Sequence, residues 1–295
     1  MSTENIVLLG HGEMGHAFEF LLQQRGALRI WTRHDEATGG ASLQQSVTAA
    51  AYVIFCLPVV AHETVAKRLA ACLPEQAICI SIAKGLDEAG RPALHILHEH
   101  LPRHTHVLMY GPMIAEEIIA GRAAFAQLGV ADTALAATVQ ALFQDTSLYL
   151  QTSHDVMGIS WAVILKNVYA ILFGVADELA LGDNVRGYLM AQSLAELSSI
   201  IQCMGGEAAS AFGLAGLGDL TTTATSESSH HHSLGRCLAR NDCADISGEG
   251  VHTLHMVVRH QLLSLEDYPL FTLCRQILAQ PQACRSLFNE HLAML

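Results

Sequence analysis

The apolar run Ile6-Val7-Leu8-Leu9 leads straight into Gly10-His11-Gly12-Glu13-Met14-Gly15. A stretch with Met14, Ala17, Phe18, Leu21 and Leu22 at helical spacing follows. A buried strand, a glycine-rich turn and an amphipathic helix in that order open a dinucleotide-binding βαβ unit. The first glycine permits the tight turn. The second lets the backbone approach a pyrophosphate, and the third packs helix on strand. The phosphates then meet the helix N-terminus, where unpaired N–H groups and the helix dipole favour an anion. An ordinary glycine-rich turn is the alternative, and the strand-to-helix context argues against it.

Further short apolar runs follow at Leu28–Trp31, Tyr52–Leu57, Ala77–Ile82, His106–Tyr110 and Ala124–Gly129, several separated by helical patterns. Continuous apolar strands alternating with helices predict an α/β fold with a Rossmann-type, doubly wound parallel sheet. Past residue 150 strands are hard to find. Residues 155–180, 185–204, 250–263 and 267–294 read as helices. The expected division is a dinucleotide-binding Rossmann domain over 1–152 and an all-α substrate-binding domain over 153–295.

The net charge of −12 argues against nucleic acid or an anionic membrane as partner, since both need a basic footprint. No run of 18 uninterrupted apolar residues is present, so no membrane span is predicted. The N-terminal apolar run is broken by Gly10 and lacks a basic leader, so no signal peptide is expected. The eight cysteines include no C-x-x-C pair and suit a reducing cytoplasm as small buried hydrophobes. A small molecule is the expected substrate, with a homodimer the one assembly left open.

Cofactor choice is read at the end of the second strand. An acidic residue there would hold the ribose of NAD, whereas this chain has Thr32-Arg33-His34. Arg33 can bond a 2′-phosphate bidentately, which tilts the choice between NADP and NAD toward NADP. A surface arginine is the plainer reading. Lys84, in Ser81-Ile82-Ala83-Lys84-Gly85, lies at the carboxyl end of a strand, where open α/β sheets bind ligands. A solvated loop lysine is its alternative. Lys166 sits in the apolar run Ile159–Gly174, with Asn167 as its polar neighbour. Burial would lower its pKa and make it a usable general acid or base, unless it snorkels from one helix face. Asp219 closes Gly213-Leu214-Ala215-Gly216-Leu217-Gly218 and could orient that lysine, or simply cap a helix. Adjacent histidines chelate poorly, so His230-His231-His232 predicts a polar loop lining a pocket, and no metal site is expected.

These residues closely resemble the NAD(P)-dependent glycerol-3-phosphate dehydrogenase family over nearly the whole chain. The resemblance is carried by the Gly10–Gly15 loop, Ala83-Lys84-Gly85, Gly111-Pro112 with Ala115 and Glu117, and Leu165-Lys166-Asn167 with Ala170 and Gly174. It continues through Gly182 and Asn184, Gly213–Leu220 with Thr223, Ser226 and Ser229, and Glu249-Gly250-Val251. It implies reduction of dihydroxyacetone phosphate by a nicotinamide cofactor. Lys166 would be the proton donor and acceptor, Lys84 would contact substrate and cofactor, and Asp219 and Thr223 would support the reacting centre. Gly10, Gly12, Glu13, Met14, Gly15, Arg33, Ala115, His230 and Glu249 would line the cofactor. Gly111, Met113, Ser229, His230 and His231 would line the substrate.

The chain departs from that pattern at four places. His230-His231-His232 replaces Arg-Asn-Arg, of which the first two hold the substrate phosphate. Met113 replaces a serine, and Glu13-Met14 replaces Ser-Trp. The segment around Glu36–Val47 is short. A related small carbonyl compound is therefore an expected substrate beside dihydroxyacetone phosphate. A ketopantoate-reductase-like enzyme and a catalytically silent NADP(H)-binding protein are the alternatives. The Gly-Leu-Gly-Asp-Leu turn argues against the first, and retention of Lys84, Lys166 and Asp219 against the second.

Overall fold

The computed structural model describes residues 5–226 and 229–295. Two compact units emerge: residues up to Asp87 with Arg91–Val156, and Met157–Leu295 with the short excursion Glu88–Gly90.

The first unit is built on a seven-stranded sheet. Its strands are β1 (Asn5–Leu9), β2 (Ala27–Trp31), β3 (Tyr52–Phe55), β4 (Ile78–Ser81), β5 (Thr105–Tyr110), β6 (Ala124–Gly129) and β7 (Leu148–Ser153), in the order β2-β1-β3-β4-β5-β6-β7. Its helices are α1 (Glu13–Leu22), α2 (Arg33–Ala37), α3 (Leu43–Val47), α4 (His62–Leu69), α5 (Ala93–His100), α6 (Ala115–Ile119) and α7 (Thr133–Leu142). Both sheet faces are covered. Ile6, Leu8 and Ile54 enter one apolar cluster, while the alternating Val7, Leu9, Val53 and Phe55 enter another. This two-sided burial explains why the strands read as continuous apolar runs.

The sheet is not wholly parallel, as the sequence predicts it to be. β6 runs antiparallel to β5, and every other pairing is parallel. The connection between β5 and β6, residues 111–123, holds the five-residue α6 and a turn at Gly121, whose φ is +75°. β7 has no apolar run to announce it. It is an edge strand with Tyr149 57 % exposed.

The second unit is helical: α8 (Val156–Glu178), α9 (Asp183–Cys203), α10 (Asp219–Thr225), α11 (His230–Arg240), α12 (Glu249–Arg259), α13 (Pro269–Ala279) and α14 (Cys284–Ala293). α8 is buried on every face from Gly158 to Ala176. It is long and apolar enough to cross a membrane, yet 89 % of its apolar window is buried, as for the core helix of a folded domain. The predicted helix over 267–294 is two helices. Pro281 lacks an N–H and pushes Gln280 out of helical geometry, to φ −140° and ψ 67°. Cys237 and Cys243 are joined in a disulfide, a pairing the sequence reading did not contain, while Cys79, Cys274 and Cys284 are buried free thiols.

Candidate active site

In the first unit the strand order reverses between β1 and β3, which makes the space beyond their carboxyl ends the topological switch point. The Gly10–Gly15 loop lies there. Gly10 has φ +98°, and a Cβ on it would lie 2.5 Å from the Cys56 carbonyl oxygen. Its N–H donates to the Trp31 carbonyl at 2.9 Å, so the turn after β1 is tied to the end of β2. A Cβ on Gly15 would lie 2.6 Å from the Gly10 carbonyl oxygen, whereas one on Gly12 would meet nothing within 4 Å. Glycine is thus demanded at Gly10 and Gly15 by packing. At Gly12 the space is open to a ligand. Gly12 is the N-cap of α1 and provides no side-chain cap for the first turn. An exposed helix N-terminus flanked by open space fits a dinucleotide pyrophosphate. Glu13 stands exposed in the same turn, and Met14 packs partly against the core.

Arg33 is the first residue of α2 and is exposed. Asp35 is engaged locally: Thr32 Oγ1 donates to its carboxylate at 2.6 Å and accepts from its N–H at 3.0 Å. Lys84, half-buried, donates from Nζ to the Gly111 carbonyl at 3.4 Å and links the ends of β4 and β5. Gly111 is required, since a Cβ there would lie 2.4 Å from the Phe125 carbonyl oxygen. Met113 and Ala115 are both 6 % exposed and belong to the apolar core.

Behind Lys84 lies a polar relay that the sequence reading missed. His62 is fully buried and stacks on Phe55 at 5.0 Å between ring centroids. Its Nδ1 is 3.1 Å from the Pro58 carbonyl, which can only accept, so Nδ1 carries the proton. Nε2 therefore accepts from Ser81 Oγ at 3.0 Å, and Ser81 Oγ accepts from the Ala83 N–H at 3.3 Å. The relay fixes the chain entering Lys84 to the loop after β3. Burial lowers the His62 pKa to about 4. An alternating hydrophobic pattern carries no signal for such a pair.

In the second unit four helices converge. Lys166 on α8 is 4 % exposed. Its ammonium pairs with Asp219 Oδ1 at 3.2 Å and donates to Thr223 Oγ1. Thr223 in turn donates to the Asp219 carbonyl at 2.7 Å. Asp219 opens α10 immediately after a π turn over Leu214–Gly218. Gly216 makes that turn possible, because a Cβ there would lie 2.2 Å from the Ala211 carbonyl oxygen. An isolated buried ammonium would be costly, and the carboxylate beside it offsets that cost.

The expected polar loop at His230–His232 is instead the first turn of α11. Ser229 caps it, its Oγ accepting from the His232 N–H at 3.3 Å. Leu234 and Leu238 supply the buried face, and Asn241 ends the helix at φ +56°. The histidines diverge. His230 is exposed. His231 Nε2 accepts from the Gly250 N–H at 3.1 Å, which leaves that imidazole neutral with its proton on Nδ1. His232 is turned toward α8, with Nε2 2.7 Å from Asp177. Glu249 opens α12 and accepts from Asn167 Nδ2 at 3.4 Å. Asn167 Oδ1 is buried and has no protein partner among the described residues. Ser229, His231, Glu249 and Asn167 are thus gathered around the heads of α11 and α12.

Comparison with known proteins places these features in a family. The profile described as NAD-dependent glycerol-3-phosphate dehydrogenase N-terminus matches residues 37–136, and that of the C-terminus matches 155–289. A glycerol-3-phosphate dehydrogenase [NAD(P)+] of Agrobacterium fabrum is 31 % identical over 273 residues, 84 % of each chain. One from Gloeobacter violaceus is 31 % identical over 275 residues, covering 90 % of this chain and 89 % of that one. The chain belongs to the NAD-dependent glycerol-3-phosphate dehydrogenase family.

The fold of this family member agrees. A crystal structure of glycerol-3-phosphate dehydrogenase from Coxiella burnetii superposes with a TM-score of 0.86 at 21 % identity, covering 98 % of this chain and 99 % of that one. A ketopantoate reductase from Ralstonia eutropha reaches 0.60 at 19 % identity, covering 94 % and 99 %. The Gly10–Gly15 loop precedes the matched N-terminal segment, so its assignment rests on its own geometry.

Proposed function

We propose that this family member is an NAD(P)-dependent dehydrogenase. It would interconvert the carbonyl of dihydroxyacetone phosphate, or of a related small carbonyl compound, with the corresponding secondary alcohol. The observation that carries this reading is the Lys166–Asp219–Thr223 centre, a buried ion pair with a hydroxyl partner, its lysine set in the apolar helix α8. A bound nicotinamide would supply the hydride. The residues that fit the dinucleotide are Gly10, Gly12 and Gly15 with the N-terminus of α1, and Arg33 at the head of α2. Asn167 Oδ1 offers a buried acceptor beside Glu249.

Lys166 then moves the proton. In reduction an Nζ–H is given to the carbonyl oxygen as that oxygen gains charge; in oxidation Nζ takes it back. Asp219 balances the ammonium, and Thr223 fixes its direction by accepting from Nζ and donating to a backbone carbonyl. The family resemblance implies that Lys84 would contact substrate and cofactor; within the first unit its Nζ donates to the Gly111 carbonyl, and the relay behind Ala83 holds the strand end that carries it.

The substrate's charged end is where this chain differs from the family pattern. His231 Nε2 is engaged by the Gly250 N–H, and His232 is committed to Asp177. We therefore favour a substrate less dependent on phosphate recognition. The buried free thiols Cys79, Cys274 and Cys284 support the cytoplasm as its compartment, whereas the Cys237–Cys243 disulfide points the other way. The homodimer is tested by sedimentation.

The deciding experiment follows cofactor oxidation over small carbonyl compounds with and without phosphate, in wild type and Lys166→Met. Removal of the general acid should lower kcat by roughly 100-fold or more while leaving cofactor affinity intact. Near-normal turnover in the variant removes Lys166 from the mechanism. A folded wild type that binds cofactor and turns over nothing supports the silent nucleotide-binding alternative.

A further inference from the structure

The glycine-rich turn brings together three side chains that have no part in the chemistry above. His11 is the residue between Gly10 and Gly12. His16 and Glu19 are three apart on α1, on the face away from the core. Residues three apart on a helix are neighbours, and the turn folds His11 back onto that pair. His11 Nε2 lies 2.7 Å from Glu19 Oε2, and His16 Nδ1 lies 3.7 Å from the same oxygen. The two imidazole centroids are 3.8 Å apart. One ligand atom from each residue falls within 4.8 Å of the others.

We propose that His11, His16 and Glu19 form a binding site for a divalent cation of the zinc class. Zinc is bound at about 2.0–2.2 Å by imidazole nitrogen and carboxylate oxygen. Tetrahedral ligands at that radius lie roughly 3.4 Å from one another. The observed separations of 2.7 and 3.7 Å lie on either side of that value, so small side-chain rotations bring the three ligand atoms around the ion. Two nitrogens and one carboxylate select zinc, copper, nickel or cobalt over magnesium or calcium, which prefer oxygen. The side chains are 29 % (His11), 53 % (His16) and 40 % (Glu19) exposed, so the ion has a route in and water completes its shell. An ion bound there would clamp His11, and with it the Gly10–Gly12 turn, to the second turn of α1. The sequence gives no hint of this site, because His11 comes five residues before His16 and meets it only through the bend at Gly10.

The test uses the full chain stripped of metal and titrated with Zn2+ by calorimetry, with Co2+ as a visible-absorption probe. His16→Ala and Glu19→Gln change exposed side chains outside the proposed catalytic and cofactor sets. Wild type should bind one Zn2+ at this site, show a four-coordinate cobalt band and gain thermal stability with Zn2+, since a ligand that binds only the folded state raises Tm. Each variant should bind Zn2+ at least tenfold more weakly and lose both the band and the Tm gain. Mg2+ should produce none of these effects. Zn2+ affinity and stoichiometry equal in wild type and both variants would overturn the site by placing the metal on other histidines. Absence of Zn2+ binding by folded wild type would overturn it outright. Neither outcome bears on the role of Lys166.

Discussion

Gly174 and Gly235 hold α8 against α11 at a separation that no other residue allows. A Cβ on Gly174 would lie 2.0 Å from the His232 carbonyl oxygen and 3.0 Å from the Arg236 nitrogen, and one on Gly235 would lie 2.0 Å from the Ile171 carbonyl oxygen. Ordinary carbon–oxygen contacts need about 3.3 Å. Gly174→Ala therefore requires the helices to part by roughly 1.3 Å at their crossing. Both obstacles are backbone atoms inside helices, so no rotamer change relieves them. Overpacking of this kind costs about 1–3 kcal/mol. The shift also moves the head of α11, which carries Ser229 and His231, away from Asn167 and Lys166. A misplacement of about 1 Å in a catalytic constellation lowers the rate on the order of 100-fold. Thermal denaturation and steady-state kinetics on whichever carbonyl compound the enzyme reduces measure the two effects, and reduced-cofactor fluorescence confirms that the Gly10–Gly15 loop still binds. Gly187→Ala is the matched control: that glycine is exposed in α9 with nothing within 4 Å of an added Cβ. It should gain roughly 0.5–1 kcal/mol. A Gly174→Ala protein with wild-type Tm and kcat/KM would refute the helix contact and the coupling drawn from it.

Three further outcomes are expected. The His62 pKa falls to about 4 on folding, so the unfolded chain takes up that proton first. Stability should drop as pH falls from about 6.5 toward 4, by on the order of 3 kcal/mol from this residue; a Tm difference between wild type and His62→Gln that stays constant across that window would contradict it. Arg33 at the head of α2 should give tighter binding of NADPH than NADH, with the preference lost in Arg33→Ala; equal affinities in wild type would end the NADP reading. His230→Arg adds a guanidinium at the exposed head of α11 without disturbing the His231–Gly250 bond. A charge-assisted contact of about 1.5–3 kcal/mol should lower KM for dihydroxyacetone phosphate at least tenfold near pH 8; an unchanged, low KM would mean that the histidines already hold phosphate adequately.

The chain's local order was legible wherever one residue's environment is dictated by near neighbours. Ile6–Leu9 followed by Gly10–Gly15 specified strand, turn and helix because both strand faces are apolar and Gly10 and Gly15 have no steric substitute. Lys166 stood out because a cation inside an apolar helix is costly without a partner. Failures came where the decisive contact is distant in sequence. β7 gains its place by pairing with β6, since its own residues alternate too weakly to declare an edge strand. The sense of β6 shows only in its pairing, where Leu108 faces Gly129 and Tyr110 faces Gln127 in antiparallel register with β5. His230–His232 read as a loop, because the buried Leu234 and Leu238 that fix it as a helix act only through tertiary packing. Residue types and backbone freedom were thus determined by the sequence alone. The tertiary structure decided which polar atoms meet: Asp219 with Lys166, His231 with the Gly250 amide, and His62 with Ser81. Hydrogen bonds and ion pairs depend on ångström separations, and those are set by how helices and strands pack rather than by their spacing along the chain.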